Sequence, residues 1–357
     1  MVGLLVLGVL YPWIDQLAGW ARLSSAASAL LLVTLAVGLN VVVGFAGMLD
    51  LGYAAFFAIG GYTAALLTAS GSRINAALPA LAREPWVALP TAALVAAGFG
   101  LAFGVPTIRA RGEYLAVVTL AFGAIVPGVL SHLAWTGGPL GMSGVPLPEF
   151  GLWPSSPLNG YALALVLAVL ACAAALRLAG SRTGRAWAAV REDDLAAAAV
   201  GVNPPLARLL AFAIGAGCAG LAGAVYAGLV GSIEPDEFDF TVSLMVLAAV
   251  VIGGRWGVTG VAIGALVVAA YDRLLVGALE DGLHALGATL GIPGLLSIDV
   301  RGENFAVFGL ALYLATLVQV RRPAQGSAGV IPVGRQWRSW PHRAMAVAGL
   351  RRPPASG

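Results

Sequence analysis

Residues 209–233 read LLAFAIGAGCAGLAGAVYAGLVGSI, and no charge interrupts them between Arg208 and Glu234. A helix needs about 20 such residues to cross a hydrocarbon core of about 30 Å, where each backbone N–H and C=O must be satisfied within the segment. Ala216, Gly220, Ala224 and Gly228 recur every four residues, so they form one stripe of that helix. Small residues in such a stripe let a neighbouring helix approach closely in a bilayer. The pattern repeats outward in both directions. No charge lies between Arg22 and Asp50, Asp50 and Arg73, Pro85 and Arg109, or Glu113 and Glu149.

These gaps place membrane spans near 2–14, 26–45, 51–70, 86–105, 113–134, 159–178, 206–230, 241–253, 258–276 and 304–320. The expected fold class is therefore all-α, a polytopic transmembrane bundle of about ten helices. It becomes nine if one of the pair 241–253 and 258–276 is re-entrant, because only Gly254-Arg255-Trp256-Gly257 separates them. The first span is short, about 20 Å of helix. It has no basic segment ahead of it and no clear small-residue cleavage site, so a signal peptide is not expected.

Composition agrees with this class. The 357 residues are 59% hydrophobic and 10% charged, with mean hydropathy +0.90; a soluble domain carries about 25% charged residues. Every basic residue is an arginine. Without lysine the chain has no P-loop, Schiff-base or kinase-type lysine, so any ATP that drives it is bound by another polypeptide. Cys172 and Cys218 both fall within apolar spans, too few for a zinc site or a disulfide framework. His132 and His284 stand apart from other metal-ligating residues, and no Ser-His-Asp or Gly-x-Ser-x-Gly arrangement occurs. Neither an enzyme active site nor a metal site is expected. The net charge of +3 is modest, and its arginines gather in a few loops, which suits membrane orientation rather than nucleic-acid binding.

Arginine in short loops sets the orientation. The segment 106–112 carries Arg109 and Arg111, and 177–208 carries Arg177, Arg182, Arg185, Arg191 and Arg208. By contrast, 135–158 has no basic residue, and 231–240 has Glu234, Asp236, Glu237 and Asp239. Placing the basic loops in the cytoplasm gives a consistent alternation from residue 86 to 320, with both termini cytoplasmic; Arg73 and Arg83 disagree mildly. The expected division is a membrane domain over 1–320 and a disordered, basic cytoplasmic tail over 321–357, which can lie on an anionic leaflet.

The loop 180–205, GSRTGRAWAAVREDDLAAAAVGVNPP, is the most informative stretch outside the spans. Good helix formers run from Arg185 to Val200, Gly201 suits a left-handed position after a helix end, and Pro204 prevents continuation. Asp193 or Asp194 can cap a second short helix from Leu195 to Val200. One side of that helix is small and apolar. Such a unit is either an ordinary surface helix or a docking helix, with Glu192, Asp193 and Asp194 facing basic groups on a soluble partner.

The glutamate, the alanine run and the glycine resemble the coupling loop of ATP-binding-cassette importer permeases, and 184–228, GRAWAAVREDDLAAAAVGVNPPLARLLAFAIGAGCAGLAGAVYAG, resembles the LivM-type permeases of branched-chain amino acid importers. Two further segments resemble the same family in the same order: 38–67, GLNVVVGFAGMLDLGYAAFFAIGGYTAALL, and 106–126, PTIRARGEYLAVVTLAFGAIV. The resemblance implies a coupling role for Glu192, Ala196, Ala197 and Gly201 beside Asp193 and Asp194, although Asp193-Asp194-Leu195 separate the glutamate from the alanines. In 38–67, Gly44, Gly47, Asp50, Gly52 and Tyr53 suggest a broken helix on the solute path, where freed backbone groups meet a zwitterion. An Asp at mid-bilayer costs about 2.5–3.5 kcal/mol on insertion scales, so the other reading of Asp50 is a short cytoplasmic turn. Thr119 and Gly123 form a small face suited to packing. The segment 135–145, WTGGPLGMSGV, with Gly137 and Gly138, corresponds to the region that faces the solute-binding protein. The stripe from Ala216 to Gly228 reads first as bundle packing and second as a seam with another permease.

The resemblance thus implies a permease subunit of an ATP-driven importer in a bacterial-type inner membrane. Its partners would be a second homologous permease, two cytoplasmic ATPases and an extracytoplasmic solute-binding protein. It would bind no cofactor itself, since ATP and Mg belong to the ATPases. The cargo would be a branched-chain or related amino acid. Urea or a short amide is the alternative within the same permease type, and a self-contained transporter or channel is the rival from another class. That rival usually places more ionisable residues inside its spans than occur here.

Overall fold

In hydrocarbon a single chain segment can satisfy its own backbone only as a helix, and the charge-free segments do form helices. The computed structural model describes residues 2–18, 22–72, 84–107, 113–149, 157–254 and 257–272, all within one unit, Met1–Leu317. In chain order these are α1 Val2–Ala18, α2 Leu23–Asn40 with a π-turn Val41–Phe45, α3 Tyr53–Thr68, α4 Pro85–Thr107, and α5 Glu113–His132. They continue as α6 Pro157–Gly180, α7 Arg182–Glu192, α8 Asp194–Ala199, α9 Pro204–Val230, α10 Phe240–Gly253 and α11 Val258–Ala270.

Five helices among the described residues are long and apolar enough to cross a membrane: Leu23–Phe45, Pro85–Pro106, Tyr114–His132, Pro157–Gly180 and Pro204–Val230. α3 and α11 are shorter apolar helices. The chain is a helical, multi-pass membrane protein. Where expectation and structure overlap, span ends mostly agree within a few residues. α1 runs further than expected, through Pro12 to Ala18, before Asp15 accepts the backbone N–H of Arg22 at 3.1 Å. The expected span 304–320, His284 and the tail lie outside the described residues.

α9 is the packing axis. Its glycines let three helices lie on it at once. A Cβ on Gly60 of α3 would come 2.2 Å from both Cα and O of Gly220. A Cβ on Gly220 would meet Ala96 Cβ of α4 at 2.5 Å, and one on Gly215 would meet Val42 Cγ2 of α2 at 2.7 Å. Ala216, Gly220 and Ala224 are accordingly buried, so the small-residue stripe is used for packing within the bundle. α2 antiparallel to α9 follows from the contacts Gly38 with Cys218 and Val42 with Gly215, and α3 parallel to it from Tyr53 with Gly215 and Gly60 with Gly220. The outer faces of α4 and α5 remain apolar and exposed, Leu94, Phe99, Val117 and Ile125 among them. Such faces suit lipid or another membrane subunit.

Candidate functional site

Two stretches singled out by sequence meet in space: the break after α2 and the α7–α8 unit. At the break, α2 widens into the π-turn and closes with Ala46 N–H to Val41 O and Met48 N–H to Val42 O, at 3.2 and 3.0 Å. Gly47 has φ +72°, a conformation that glycine adopts without strain. The chain then runs without helical bonding to Gly52, where α3 begins. Asp50 Oδ1 accepts the Gly52 N–H at 3.0 Å, and Thr119 Oγ1 of α5 accepts the Leu51 N–H at 3.0 Å. Ser243 Oγ of α10 accepts the Ala54 N–H at 3.0 Å. Three side chains from different parts of the sequence therefore satisfy the N–H groups just before α3 and in its first turn, which no helical bond would serve. Asp50 is 1% exposed, and its Oδ2 has no hydrogen-bond partner among the described residues. Both amide atoms of buried Asn40 are likewise unpartnered there.

The α7–α8 unit is held by its own capping. Ser181 accepts the Gly184 N–H at 3.2 Å to start α7, and Asp193 Oδ1 accepts from Leu195 and Ala196 at 2.7 and 3.0 Å to start α8. α8 ends in a Schellman arrangement: Gly201 N–H to Ala198 O and Val202 N–H to Ala197 O, both 3.0 Å, with Gly201 at φ +86°. Asn203 accepts the Leu206 N–H, and Pro204 and Pro205 open α9. Beneath the unit, Trp187 is fully buried and donates to Ala207 O at 2.7 Å. Asp194 pairs with Arg208 at 2.5 Å. Ala197 points inward, while Leu195 and Val200 are each 77% exposed beside exposed Ala196, Ala198 and Ala199.

Arg191 joins the two stretches. Its Nη1 donates to Gly44 O at 2.5 Å, and Phe45 stacks on Trp187 with ring centroids 6.4 Å apart. Toward the opposite end of α9 the acidic segment is not simply solvated. Ile233 and Ser232 (β2) pair antiparallel with Met142 and Ser143 (β1), joining the segments 135–145 and 231–240. Phe238 is fully buried against Phe57, Tyr62 and Tyr226. Glu237 accepts from Tyr226 Oη and from the Glu234 N–H, and burial pushes its carboxyl up despite that backbone bond. A cavity of about 450 Å³ extends from Asp236 and Asp239 past Ser243 and Gly123 to Leu51, next to Asp50.

A family described as branched-chain amino acid transport system / permease component matches residues 21–317. The chain belongs to this permease family. The high-affinity branched-chain amino acid transport system permease protein LivM of Escherichia coli (strain K12) is 36% identical over 315 residues, covering 81% of this permease and 71% of the relative. LivM of Salmonella typhimurium matches to the same extent. The autoinducer 2 import system permease protein LsrC of Salmonella paratyphi B is 31% identical over 172 residues, 45% of this permease and 47% of that protein. No solved structure matches. These relatives are transport components, not enzymes.

The residues marked in the permease sequence separate into groups. Gly44, Gly47, Asp50, Gly52 and Tyr53 lie at the break; Tyr53 Oη donates to Gly215 O at 2.9 Å. Of the three carboxylates before the alanine run, Asp193 caps α8, Asp194 faces Arg208, and Glu192 is exposed at 79% while pairing with Arg191 at 3.8 Å. Ala196 is exposed, Ala197 is buried, and Gly201 shapes the turn. Gly137 lies between the short turns Ala134–Thr136 and Gly138–Leu140, and Gly138 opens the second, away from the break. Thr119 and Gly123 pack on the break itself: a Cβ on Gly52 would come 2.0 Å from Thr119 O. The sequence assigns no site role to Trp187, Asn40 or Ser243, and marks Arg191 only as one of the arginines that set orientation. An isolated Trp in an Arg- and Ala-rich loop was the available signal for Trp187 and Arg191.

Proposed function

We propose that the chain is the membrane subunit of an ATP-driven importer for branched-chain or related amino acids, with α7–α8 as the element that engages a cytoplasmic ATPase. One observation carries the reading: α8 is rigidly capped at both ends, yet it presents Leu195 and Val200 outward with Glu192 at its edge. A short amphipathic helix of this kind fits a groove on a partner, its apolar side chains seated and its charge at the rim. The names of the LivM relatives support the cargo class, and the absence of lysine leaves ATP binding to another chain. On this reading the basic end of the bundle, with both termini, is cytoplasmic, and the membrane is a bacterial inner membrane. The partners are a second related permease, two ATPases and an extracytoplasmic binding protein docking near Gly137 and Gly138.

The solute path runs down the cavity to the break. The cavity reaches Leu51, whose chain neighbour Asp50 is a buried carboxylate, and the start of α3 offers the positive end of a helix dipole. Asp50→Asn keeps an acceptor for the Gly52 N–H and removes the charge. Uptake into liposomes is expected to fall about tenfold, as for loss of one charged contact, with the complex still recovered intact. Wild-type uptake would take Asp50 off the path.

The reading as a whole is tested by purifying the tagged chain from its native membrane in mild detergent and identifying what accompanies it. A second permease and ATPases bearing a P-loop lysine are expected. A chain that purifies alone and moves solute alone would be a self-contained transporter.

A further inference from the structure

We propose that Arg191 is a positioning residue that carries the motion of the α7–α8 unit into the broken segment 41–52. The proposal rests on the coupling reading above and assigns the link between the docking helix and the solute path.

Four contacts converge there. The Arg191 guanidinium donates to Gly44 O, inside the π-turn, across 147 residues of sequence. A π-turn departs from the regular i to i−4 ladder and is locally weaker than an α-turn. The Arg191 stem lies directly on Gly47, where a Cβ would come 2.3 Å from Cγ and 2.8 Å from Cδ. Phe45, within the π-turn, stacks on Trp187 one helical turn before Arg191. Trp187 in turn bonds Ala207 at the start of α9. Among the described residues, the unit therefore grips the break through a charged hydrogen bond, an apolar stem and a ring stack. Arg191 also sits 3.8 Å from Glu192, the exposed carboxylate at the docking edge. A basic group arriving at Glu192 competes for that charge and leaves the guanidinium more committed to Gly44 O. Docking and the geometry of the break are thus linked through one side chain, by contact rather than by distance.

The competing role is an anchor that only holds the fold, and the stoichiometry of transport separates the two. Arg191→Met keeps the apolar stem over Gly47 and removes every donor, whereas Arg191→Lys keeps a charge and a donor. Both are assembled with the ATPases and the binding protein in liposomes, and ATP hydrolysis and uptake of leucine are measured together. Arg191→Met is expected to hydrolyse ATP at close to the wild-type rate while the ATP used per leucine imported rises about tenfold; Arg191→Lys should recover part of the loss. Proportionate loss of both activities, no change in either, or failure of Arg191→Met to assemble overturns the proposal. Retention of the ATPases after Glu192 and Leu195 are replaced would instead remove the coupling reading, whatever the Arg191 variants do.

Discussion

Leu195→Asp is expected to lower recovery of the ATPases with the purified chain about thirtyfold, with the chain itself still folded. Full burial of a leucine is worth about 1.5–3 kcal/mol, and 2 kcal/mol corresponds to roughly a thirtyfold change in an association constant. A carboxylate forced into the same apolar groove adds a desolvation cost, so the estimate is a lower bound. The position makes the test clean. Leu195 is 77% exposed, so nothing in the chain loses its packing. It also lies in the first turn of α8, where an acidic side chain suits the helix dipole. Circular dichroism should therefore be unchanged. Ala197→Asp, at a buried position of the same helix, is expected to disturb the chain itself. Normal recovery of ATPases with Leu195→Asp would mean that α8 is a surface helix and docking occurs elsewhere.

Gly60→Ala is expected to produce a large loss of stability for the addition of one methyl group, about 3 kcal/mol or more. The added Cβ would lie 2.2 Å from Gly220 Cα and O and 2.6 Å from its C. Those atoms are backbone in the middle of α9, so no side chain can turn aside. α3 or α9 has to move, and both carry the break and the outer loop. Gly98→Ala supplies the control, since a Cβ there meets nothing within 4 Å. It lies within α4, where replacing glycine by alanine favours the helix by up to about 1 kcal/mol. Thermal unfolding in detergent should separate the two by well over ten degrees or leave no folded Gly60→Ala to measure. Similar behaviour of the pair would mean that the α3–α9 crossing is looser than the structure has it.

The spans were readable because charge is excluded from hydrocarbon: the gaps from Arg22 to Asp50 and from Arg208 to Glu234 each hold one long helix. The small face at Thr119 and Gly123 and the stripe at Ala216, Gly220 and Ala224 were readable for a related reason, since small residues at helical spacing have few uses besides close packing. The break after α2 was readable only as a weakness, not in what holds it. Its glycines announce weakness, but what holds the chain open there comes from Thr119, Arg191 and Ser243, and local periodicity contains none of that information. The same limit applied to Glu192, Asp193 and Asp194. As sequence, Asp193 and Asp194 are interchangeable candidates for the cap of α8. Only the return of α9 brings Arg208 to Asp194, and only the start of α8 turns Asp193 into a cap. Four carboxylates surround Phe238 in the acidic loop, yet the ring is the buried part and draws the loop inward.

α9 spans 27 residues, about 40 Å of helix. Near one end Ala207 receives Trp187 and near the other Tyr226 holds Glu237 and packs on Phe238. Closely clasped by α3 and α4 at its middle, such a rod can tilt far more easily than it can bend. A tilt displaces its two ends in opposite senses, like a seesaw about the Gly220 crossing. On the importer reading proposed above, opening at one membrane face and sealing at the other then become a single movement, and a state open to both sides at once requires the rod to be broken.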